Sequence, residues 1–451
     1  MNKIIIPDES KKIIEKVSTA GFEIYIVGGA VRDVLMGKNV VDWDYTTNAK
    51  PDEITNMFPD SFYDNVFGTV GIPSENGLKA HEITTFRTER DYKDSRHPEK
   101  IEWGKTLDED LQRRDFTINS MAIKLKQNNE TEIIDLYGGQ KDINHKIIKA
   151  VGDAHTRFQE DALRMMRAIR IASQLGFEIE KNTKIALKDC AQLITKIAYE
   201  RIRDELLKIL SSQFAAEGIL LLREVGILEI IMPEMEKTFG VEQKSPNRHH
   251  IYDVGTHLVM SLKNCESNDP IVRFATLIHD IGKPSVFKKL DSGVITFYNH
   301  EIVSAKIASK LAQRFRLSKK DGDKLWRLVR YHQFTVDENQ TDSAIRRFIR
   351  NVGKDLIEDM ITLRVADRLG GGAHATSWRL EEFRKRIIEV QKEPFSIKDL
   401  KINGSDVMNI LNLKPGPVVG EILNNLYKEV IDKKIQNTNE DLTKKLKENF
   451  N

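Results

Sequence analysis

The chain has 451 residues, more than one hydrophobic core usually accommodates, so the sequence predicts about two to four domains. Hydrophobic residues make up 40% and charged residues 31%, a balance typical of a globular chain with ample core. The formal net charge of +2 excludes a uniformly basic coat for nucleic acid, so any RNA contact must come from local clusters of Lys and Arg.

The first 148 residues mix strand and helix signals. Short β-type runs are expected at 24–27, 40–46, 69–72, 80–86 and 132–136. A helical stretch follows the first run at 31–36. From about residue 154, apolar residues recur at helical spacing, as in RFQEDALRMMRAIRIASQLGF, and the rest of the chain is predicted to be helical. The sequence therefore predicts a compact α/β domain followed by all-helical domains.

The cysteines and the apolar runs of the sequence indicate the cellular location of the protein. Cys190 and Cys265 lie far apart and match no metal-ligand spacing, which fits a reducing compartment. The apolar run at the N-terminus is too short for a signal peptide, and no window approaches the roughly 18 apolar residues of a membrane span. We therefore expect a cytoplasmic protein with no membrane partner.

The first motif, IVGGAVRDVLMG, places Gly28 and Gly29 where a strand should end and a helix should begin. Glycine lets the backbone come close to a ligand, and a helix start presents unpaired N–H groups to anions. Arg32 follows in the first helical turn, where it would supply a fixed cation for phosphate. Taken alone, the same pattern also fits an ordinary strand-to-helix connection.

A pair of carboxylates follows this turn. Asp42 and Asp44 flank Trp43 in a strand-like segment, and the two-residue period of a strand would put both carboxylates on one face. Like charges side by side need cations, and Mg²⁺ suits such a pair because it binds one or two carboxylates together with substrate phosphates. Two such ions would activate an attacking hydroxyl and hold a triphosphate. Glu82 is the candidate third carboxylate; the alternative is a strand-edge glutamate without a ligand role.

Further motifs make a family resemblance specific. GGAVRD and DWD are followed by RRDFTINSMA at 113–122, YGGQKDI at 137–143 and EDALRMMRAIR at 160–170. In this order, over about the first 210 residues, they resemble the class II tRNA nucleotidyltransferases and bacterial poly(A) polymerases. The resemblance implies a multidomain α+β chain with a polymerase-β-like catalytic head. It also implies CTP and ATP as substrates and the 3′ end of tRNA as the primer.

The segment around Arg114, Asp115 and Asn119 interleaves polar groups with apolar anchors. A cation there would reach phosphate, while Asp115 and Asn119 could hold the ribose hydroxyls. A capped helix start is the alternative, because Asp115 could cap the turn that follows. The family resemblance places Arg114 and Asp115 at the nucleotide.

Four polar residues, Asp161, Arg164, Arg167 and Arg170, step by three and are expected to form a ridge along one helix. A salt-bridged surface face is one interpretation. The other is base selection, because a carboxylate accepts from the exocyclic amine of C and A while an arginine donates to their adjacent ring nitrogen. U and G present the reverse pattern. The resemblance assigns this role to Asp161 and Arg164, with Arg167 and Arg170 nearer the base or phosphates.

The segment at 87–103 decides between variants of the family. Enzymes that add only CC resemble this class but lack a flexible loop at this place, and here the segment has full length and a charged, mixed composition typical of a mobile surface loop. This favours addition of CCA or of A alone. An A-adding enzyme and a poly(A) polymerase remain alternatives, although no strongly basic extension for generic RNA is present.

A second constellation lies in the helical part, around the phrase RFATLIHDIGKP. Its members, in an order that resembles HD-domain phosphohydrolases, are His257, His279, Asp280, His300, His332 and Asp367. Imidazole and carboxylate ligands suit Ni²⁺, Mn²⁺ or Fe, which activate water against a phosphoester. His257, His279, Asp280 and Asp367 would hold one ion, and His300 with His332 could hold a second. A metal-free remnant that supports the tRNA body is the alternative.

The sequence thus predicts four domains: a catalytic head at 1–148, a nucleotide-selecting neck at 149–240, an HD domain at 241–375 and a C-terminal tRNA-contacting region at 376–451. The predicted function is template-independent addition or repair of the CCA end of tRNA. A second activity would remove phosphate or open a 2′,3′-cyclic phosphate on damaged tRNA ends. An HD phosphohydrolase with an inactive transferase, or a non-catalytic tRNA-binding protein, would be the alternatives from other classes.

Overall fold

The structure is a computed structural model that describes residues 4–40, 42–64, 68–74, 80–92, 98–126, 130–243, 251–334, 340–391, 397–432 and 434–450. Within the chain two compact units are distinguished. The first comprises Met1–Val241, Asn268–Pro270 and Lys310–Ser318, and the second Glu242–Ser267, Ile271–Ser309 and Lys319–Asn451. The four-domain division expected from the sequence is finer than these units and stays a prediction.

The strands of the first unit are β1 Ile24–Val27, β2 Asp44–Thr47, β3 Phe62–Asp64, β4 Thr69–Ile72, β5 His81–Thr85, β6 Arg87–Tyr92, β7 Pro98–Trp103, β8 Ala122–Leu125, β9 Thr131–Ile134, β10 Ile147–Ile148 and β11 Glu178–Ile179. A seven-stranded mixed sheet has the order β3-β4-β5-β2-β1-β8-β9. In it β2 and β5 run parallel and the other neighbours antiparallel. All four residues of β1 are buried, as expected for a central strand covered on both faces.

The helices of the first unit are α1 Asp8–Thr19, α2 Gly29–Leu35, α3 Pro51–Met57, α4 Leu107–Gln112, α5 Gly139–His145, α6 Ala154–Glu160, α7 Leu163–Leu175, α8 Lys181–Cys190, α9 Tyr199–Leu210, α10 Ala215–Glu224, α11 Ile227–Ile231 and α12 Pro233–Glu236. A core cluster below the head sheet joins Tyr25 and Val27 of β1 with Leu107 and Leu111 of α4. The cluster packs α4 against β1, the strand that ends before Gly28. It thereby places Arg113 and Arg114, which follow α4, near the glycine turn.

From residue 254 the described chain is helical apart from the short pair β12 Lys288–Lys289 and β13 Ile295–Thr296. Its helices are α13 Val254–Lys263, α14 Pro270–Ile278, α15 His300–Arg314, α16 Lys319–Tyr331, α17 Asp342–Val352, α18 Ile357–Gly370, α19 Trp378–Gln391, α20 Gly404–Leu411, α21 Pro417–Ile431 and α22 Asn439–Phe450. A sheet domain followed by helices confirms the predicted fold class. Among the described helices, none has the length and apolarity needed to cross a bilayer.

One local expectation was wrong. The run predicted as a strand at 40–46 forms one only from Asp44, because the backbone pairs with β1 no further than Val27↔Asp44. The segment at 87–103, predicted as a flexible loop, contains β6 and β7, which pair as an antiparallel hairpin from Arg87↔Trp103 to Tyr92↔Pro98; its flexibility stays a prediction. Residues 93–97, which belong to the same predicted loop, lie outside the described residues.

Candidate functional site

The glycine turn brings a cation and a carboxylate together. Gly28 has φ +74°, a left-handed conformation that glycine adopts readily. A Cβ atom on Gly28 would lie 3.3 Å from Nη1 of Arg114 and 3.6 Å from Oδ2 of Asp44. The missing side chain therefore keeps open the space between these two groups, directly before α2 begins at Gly29. At this open space the sequence predicts that a ligand approaches the backbone.

The three predicted carboxylates stand at one edge of the paired strands β2 and β5. Asp44 is the register partner of Glu82 in this parallel pair, so the two side chains leave the sheet on the same face. Asp42 lies before the strand, so regular strand geometry does not extend to it. The burial pattern still alternates, with Asp42 and Asp44 half-buried and Trp43 between them buried. In the described residues these carboxylates are not among the groups of donors within 4.8 Å of one another.

Two arginines at this site are held by neighbouring polar groups. Arg32 donates from Nη1 to Oδ1 of Asn119 over 2.9 Å. Arg114 donates from Nε and Nη2 to Oδ2 of Asp110 over 3.2 and 3.0 Å, and Arg113 donates to the other oxygen of the same carboxylate. Asp110 was not predicted as a site residue, although its spacing of three and four from the two arginines is a helical-contact signal.

Asp110 is fully buried on α4. Burial by itself would raise the pKa of this carboxyl, but the charges and hydrogen bonds of Arg113 and Arg114 lower the pKa of Asp110 to about 2. The group is therefore a permanent anion at neutral pH. It fixes the direction of the Arg114 guanidinium next to the glycine turn.

Asp115 links the predicted phosphate and base contacts. Its Oδ2 accepts from Nε and Nη2 of Arg167 at 2.7 and 2.6 Å, and its Oδ1 accepts from Nδ2 of Asn119 at 3.5 Å. Burial acts to raise the pKa of Asp115, yet the Arg167 guanidinium lowers this pKa to about 2. The Asp115 carboxylate in turn raises the pKa of Arg167. A hydrogen-bonded chain thus runs from Arg32 through Asn119 and Asp115 to Arg167.

The predicted ridge differs from the structure at its first member. Asp161 lies between α6 and α7, with an extended backbone at φ −138° and ψ 104°, so it is not on the helix of the three arginines. The reason is local capping: its Oδ1 accepts from the backbone N–H of Leu163 at 3.0 Å. Oδ2 lies 3.4 Å from Nη2 of Arg201 on α9, a residue without any local sequence signal.

The arginines of α7 each contact a carboxylate that the sequence analysis missed or assigned elsewhere. Arg164 is buried and donates to Glu160 and to the carbonyl oxygens of Arg157 and Arg113. Arg170 donates from Nε to Oε2 of Glu205 over 2.6 Å. The ridge is therefore a set of ion pairs between different elements, and Glu160 could have been noticed from its place beside Asp161.

The second constellation is the histidine–aspartate cluster, which comprises His257, His279, Asp280, His300, His332 and Asp367. Nε2 of His257 lies 3.3 Å from Nε2 of His279, 3.6 Å from Oδ2 of Asp280 and 3.2 Å from Oδ1 of Asp367. Nε2 of His279 lies 3.4 and 3.5 Å from the same two oxygens. Four donors at such separations are spaced like the ligands of one ion with bonds of about 2.1 Å.

The other two histidines face the second oxygen of Asp280. Nε2 of His300 and Nε2 of His332 lie 3.0 and 3.3 Å from Oδ1 of Asp280, and 3.3 Å from each other. The carboxylate of Asp280 thus stands between two donor groups, one at each oxygen. All six predicted residues meet here, although they are spread over more than 100 positions of the chain.

Three histidine rings are oriented by backbone carbonyls. Nδ1 of His279 is 2.8 Å from the carbonyl oxygen of Thr276, Nδ1 of His300 is 2.8 Å from that of Phe297, and Nδ1 of His332 is 2.7 Å from that of Val329. A ring that donates through Nδ1 carries its lone pair on Nε2, the atom that faces the cluster. This second layer of contacts is typical of metal-ligating histidines.

The cluster also favours positive charge at its centre. Burial alone would lower the pKa of His279, but Asp280 and Asp367 raise the pKa of this imidazole to about 10. Nζ of Lys283, which the sequence analysis did not single out, lies 2.6 Å from Oδ2 of Asp280 and donates to Gln243. Its spacing of three from Asp280 could have indicated the contact.

Family models of known proteins match three parts of this chain. A poly(A) polymerase head domain matches residues 24–149, an RNA- and SrmB-binding site of polymerase A matches 176–239, and a tRNA nucleotidyltransferase domain 2 matches 294–446. A CCA-adding enzyme of Ligilactobacillus salivarius is 35% identical over 98% of this chain and 97% of its own length. One of Bacillus cytotoxicus is 33% identical over 95% of both chains. The crystal structure of the Bacillus stearothermophilus CCA-adding enzyme in complex with CTP is similar, with a TM-score of 0.71, 27% identity and 98% of each chain covered.

Proposed function

This chain belongs to the CCA-adding enzymes, a family of nucleotidyltransferases, and we propose that it builds or repairs the 3′-terminal CCA of tRNA from CTP and ATP through Asp42, Asp44 and Glu82. The observation that carries the residue assignment is the meeting of Arg114, Asp44 and the Gly28 turn, with Glu82 in register beside Asp44. The full-length relatives favour CCA addition over addition of A alone or of a poly(A) tail.

The carboxylate edge fits Mg²⁺, because its donors are hard oxygens on a face shared by neighbouring strands. When bound there, such ions neutralise phosphate charge and lower the pKa of a primer hydroxyl. Arg32 and Arg114 would bind the triphosphate, since both guanidinium groups are preset beside the glycine turn. Asp115 and Asn119 would orient the ribose, because their hydrogen bonds connect Arg32 at the glycine turn with Arg167 on α7.

Base choice would rest on Asp161 and Arg164. Arg164 donates to the carbonyl oxygens of Arg157 and Arg113, and these hydrogen bonds fix the position of its guanidinium. The guanidinium therefore cannot move to pair with a base of the wrong hydrogen-bonding pattern. Asp161 supplies acceptor oxygens for the exocyclic amine that C and A share. Arg167 and Arg170, fixed by Asp115 and Glu205, would lie nearer the base or phosphates.

The transferase assignment is tested with tRNA that lacks its CCA end, Mg²⁺ and labelled CTP or ATP. We expect incorporation of both nucleotides that stops after three additions. Asp44→Asn should abolish it, Glu82→Gln should reduce it by about a hundredfold or more, and Asp52→Asn, an exposed site on α3, should not change it. Incorporation of A only, a long A tail, or full activity of Asp44→Asn would contradict the proposal.

We further propose that the histidine–aspartate cluster is an HD phosphohydrolase site acting on phosphorylated or 2′,3′-cyclic tRNA ends. It is supported by two donor groups that share Asp280, by Asp367 beside His257 and His279, and by three histidine rings that backbone carbonyls orient. Nitrogen and carboxylate donors fit Ni²⁺, Mn²⁺ or Fe, ions that activate water and polarise a phosphoester. Lys283 and Arg364 line the pocket above the cluster, where their charges would bind the phosphate oxygens.

This second activity is tested with 3′-phosphate and 2′,3′-cyclic phosphate esters in added Ni²⁺ or Mn²⁺. Asp280→Ala should lose hydrolysis and retain nucleotide addition. Asp291→Ala, an exposed carboxylate between β12 and β13, serves as the matched control. Equal hydrolysis by Asp280→Ala and by the wild type would show that the cluster does not catalyse it.

Two further proposals concern the C-terminal region and the cellular location of the protein. The C-terminal region is proposed as a separate tRNA-contacting domain, since Leu400, Val407, Leu426 and Leu446 belong to a core cluster of its own. Cytoplasmic location is proposed because both cysteines are free and buried, as expected in a reducing compartment.

A further inference from the structure

Tyr298 stands at the pocket above the histidine–aspartate cluster. The pocket has a volume of ≈ 430 Å³, within the range of about 300–1,000 Å³ typical of small-ligand sites. Tyr298 lines it and is 78% exposed, more than Trp378 at 61% or Phe62 at 57%. It precedes the cluster residue His300 by two positions. A large ring left this open at a cavity has no packing role that explains it.

The backbone on both sides of Tyr298 is fixed. The Phe297 carbonyl oxygen is 2.8 Å from Nδ1 of His300, and the Phe297 ring packs on Phe287 with centroids 5.8 Å apart. On the other side Asn299 adopts a left-handed conformation with φ +64°, and its carbonyl accepts from the N–H of Ile302 at 3.1 Å. The contacts that orient a cluster histidine therefore also set the position from which the Tyr298 ring extends.

Charge in the pocket indicates what would bind below the ring. Its lining holds three carboxylates, Asp280, Asp367 and Glu301, and two cationic side chains, Lys283 and Arg364. With one divalent ion bound by neutral histidines, these charges would sum to one net positive charge. A phosphate would then bind at the cluster, and whatever the phosphate is attached to would extend towards Tyr298.

We propose that Tyr298 stacks on a nucleobase, so that this pocket selects the terminal nucleotide of an RNA strand over small phosphate esters. Aromatic side chains bind bases through their faces and tolerate any base, which suits an end that varies among damaged tRNAs. The proposal rests on the phosphohydrolase function proposed above and adds its specificity-determining residue.

The test measures binding by calorimetry to Mn²⁺-loaded full-length protein that carries Asp44→Asn to weaken nucleotide binding in the transferase site. The ligands are a non-hydrolysable phosphonate analogue of adenosine 3′-phosphate and inorganic phosphate. Tyr298→Ala should weaken the nucleotide about tenfold, which corresponds to about 1.4 kcal/mol of stacking, and leave phosphate within about twofold. Tyr298→Phe should bind both ligands like the parent. Leu290→Ala is the control, because Leu290 is 49% exposed between β12 and β13 and does not line the pocket.

The outcomes separate the proposal from its premise. If Tyr298→Ala binds the nucleotide as the parent does, or loses nucleotide and phosphate equally, stacking is wrong. A second outcome is that nucleotide binding depends on Tyr298, while the parent protein hydrolyses neither adenosine 3′-phosphate nor glycerol 2-phosphate. Stacking is then correct and the phosphohydrolase function is wrong. If the parent binds neither ligand in Mn²⁺, both are overturned.

Discussion

Replacing Asp110 with asparagine tests whether this buried carboxylate organises the transferase site. Asn is close in shape to a protonated Asp, so the stability that the charge contributes follows from how far folding lowers the pKa of the carboxyl. This pKa falls from 3.8 to about 2, and at about 1.4 kcal/mol per pH unit the fall corresponds to about 2 kcal/mol. Asp110 is fully buried, so solvent screening reduces this contribution little.

The stabilisation has a defined pH dependence. Because the pKa of Asp110 is lower in the folded chain, its contribution is complete above the ordinary carboxyl pKa of about 4 and is lost as the pH falls through about 2. Asp110→Asn should therefore lower stability by about 2 kcal/mol at pH 7, and the difference from the wild type should shrink between pH 4 and pH 2.

Hydrogen exchange read by mass spectrometry suits this measurement, because a chain of two units has no single unfolding free energy. Peptides from β1 and α4 should lose about 30-fold in protection, and the KM for CTP should rise severalfold because Arg114 loses its anchor. Asp108→Asn, exposed on the same helix, is the control. If both variants behaved alike at pH 7, or if the difference persisted to pH 2, the reasoning would be refuted.

Three further changes test the two sites. Gly28→Ala should raise the KM for CTP and cost about 1–2 kcal/mol, since its φ is +74° and its Cβ would press on Arg114; an unchanged KM would contradict this. Arg164→Ala should raise incorporation of U and G relative to C and A with tRNA affinity unchanged, measured against Arg223→Ala on α10; loss of tRNA affinity alone would refute templating. His300→Gln should reduce the metal content from two ions per chain to one, measured by elemental mass spectrometry, and a content that stays at two would contradict the second position.

The sequence alone predicted features that depend on residue type and local geometry. Gly28 could be recognised because a left-handed residue between a strand and a helix favours glycine. His279 and Asp280, with the other histidines in order, could be assigned to one cluster because few other roles explain so many imidazole and carboxylate groups. The α/β head and the helical remainder could be predicted from the spacing of apolar residues. A helix or strand that is buried on one face repeats its apolar residues with its own period.

Tertiary structure alone decided which groups meet. The partner of Arg167 is Asp115, 52 positions earlier, and that of Arg170 is Glu205, 35 positions later, and no local pattern specifies either pair. The register that places Glu82 beside Asp44 depends on the pairing of two strands distant in sequence. Asp161 lies outside the helix predicted for it, because its carboxylate accepts from the backbone N–H of Leu163 at the start of α7. Residue type determines the chemistry and the local dihedral preferences at each position, whereas long-range packing selects the partners from many groups of similar chemistry.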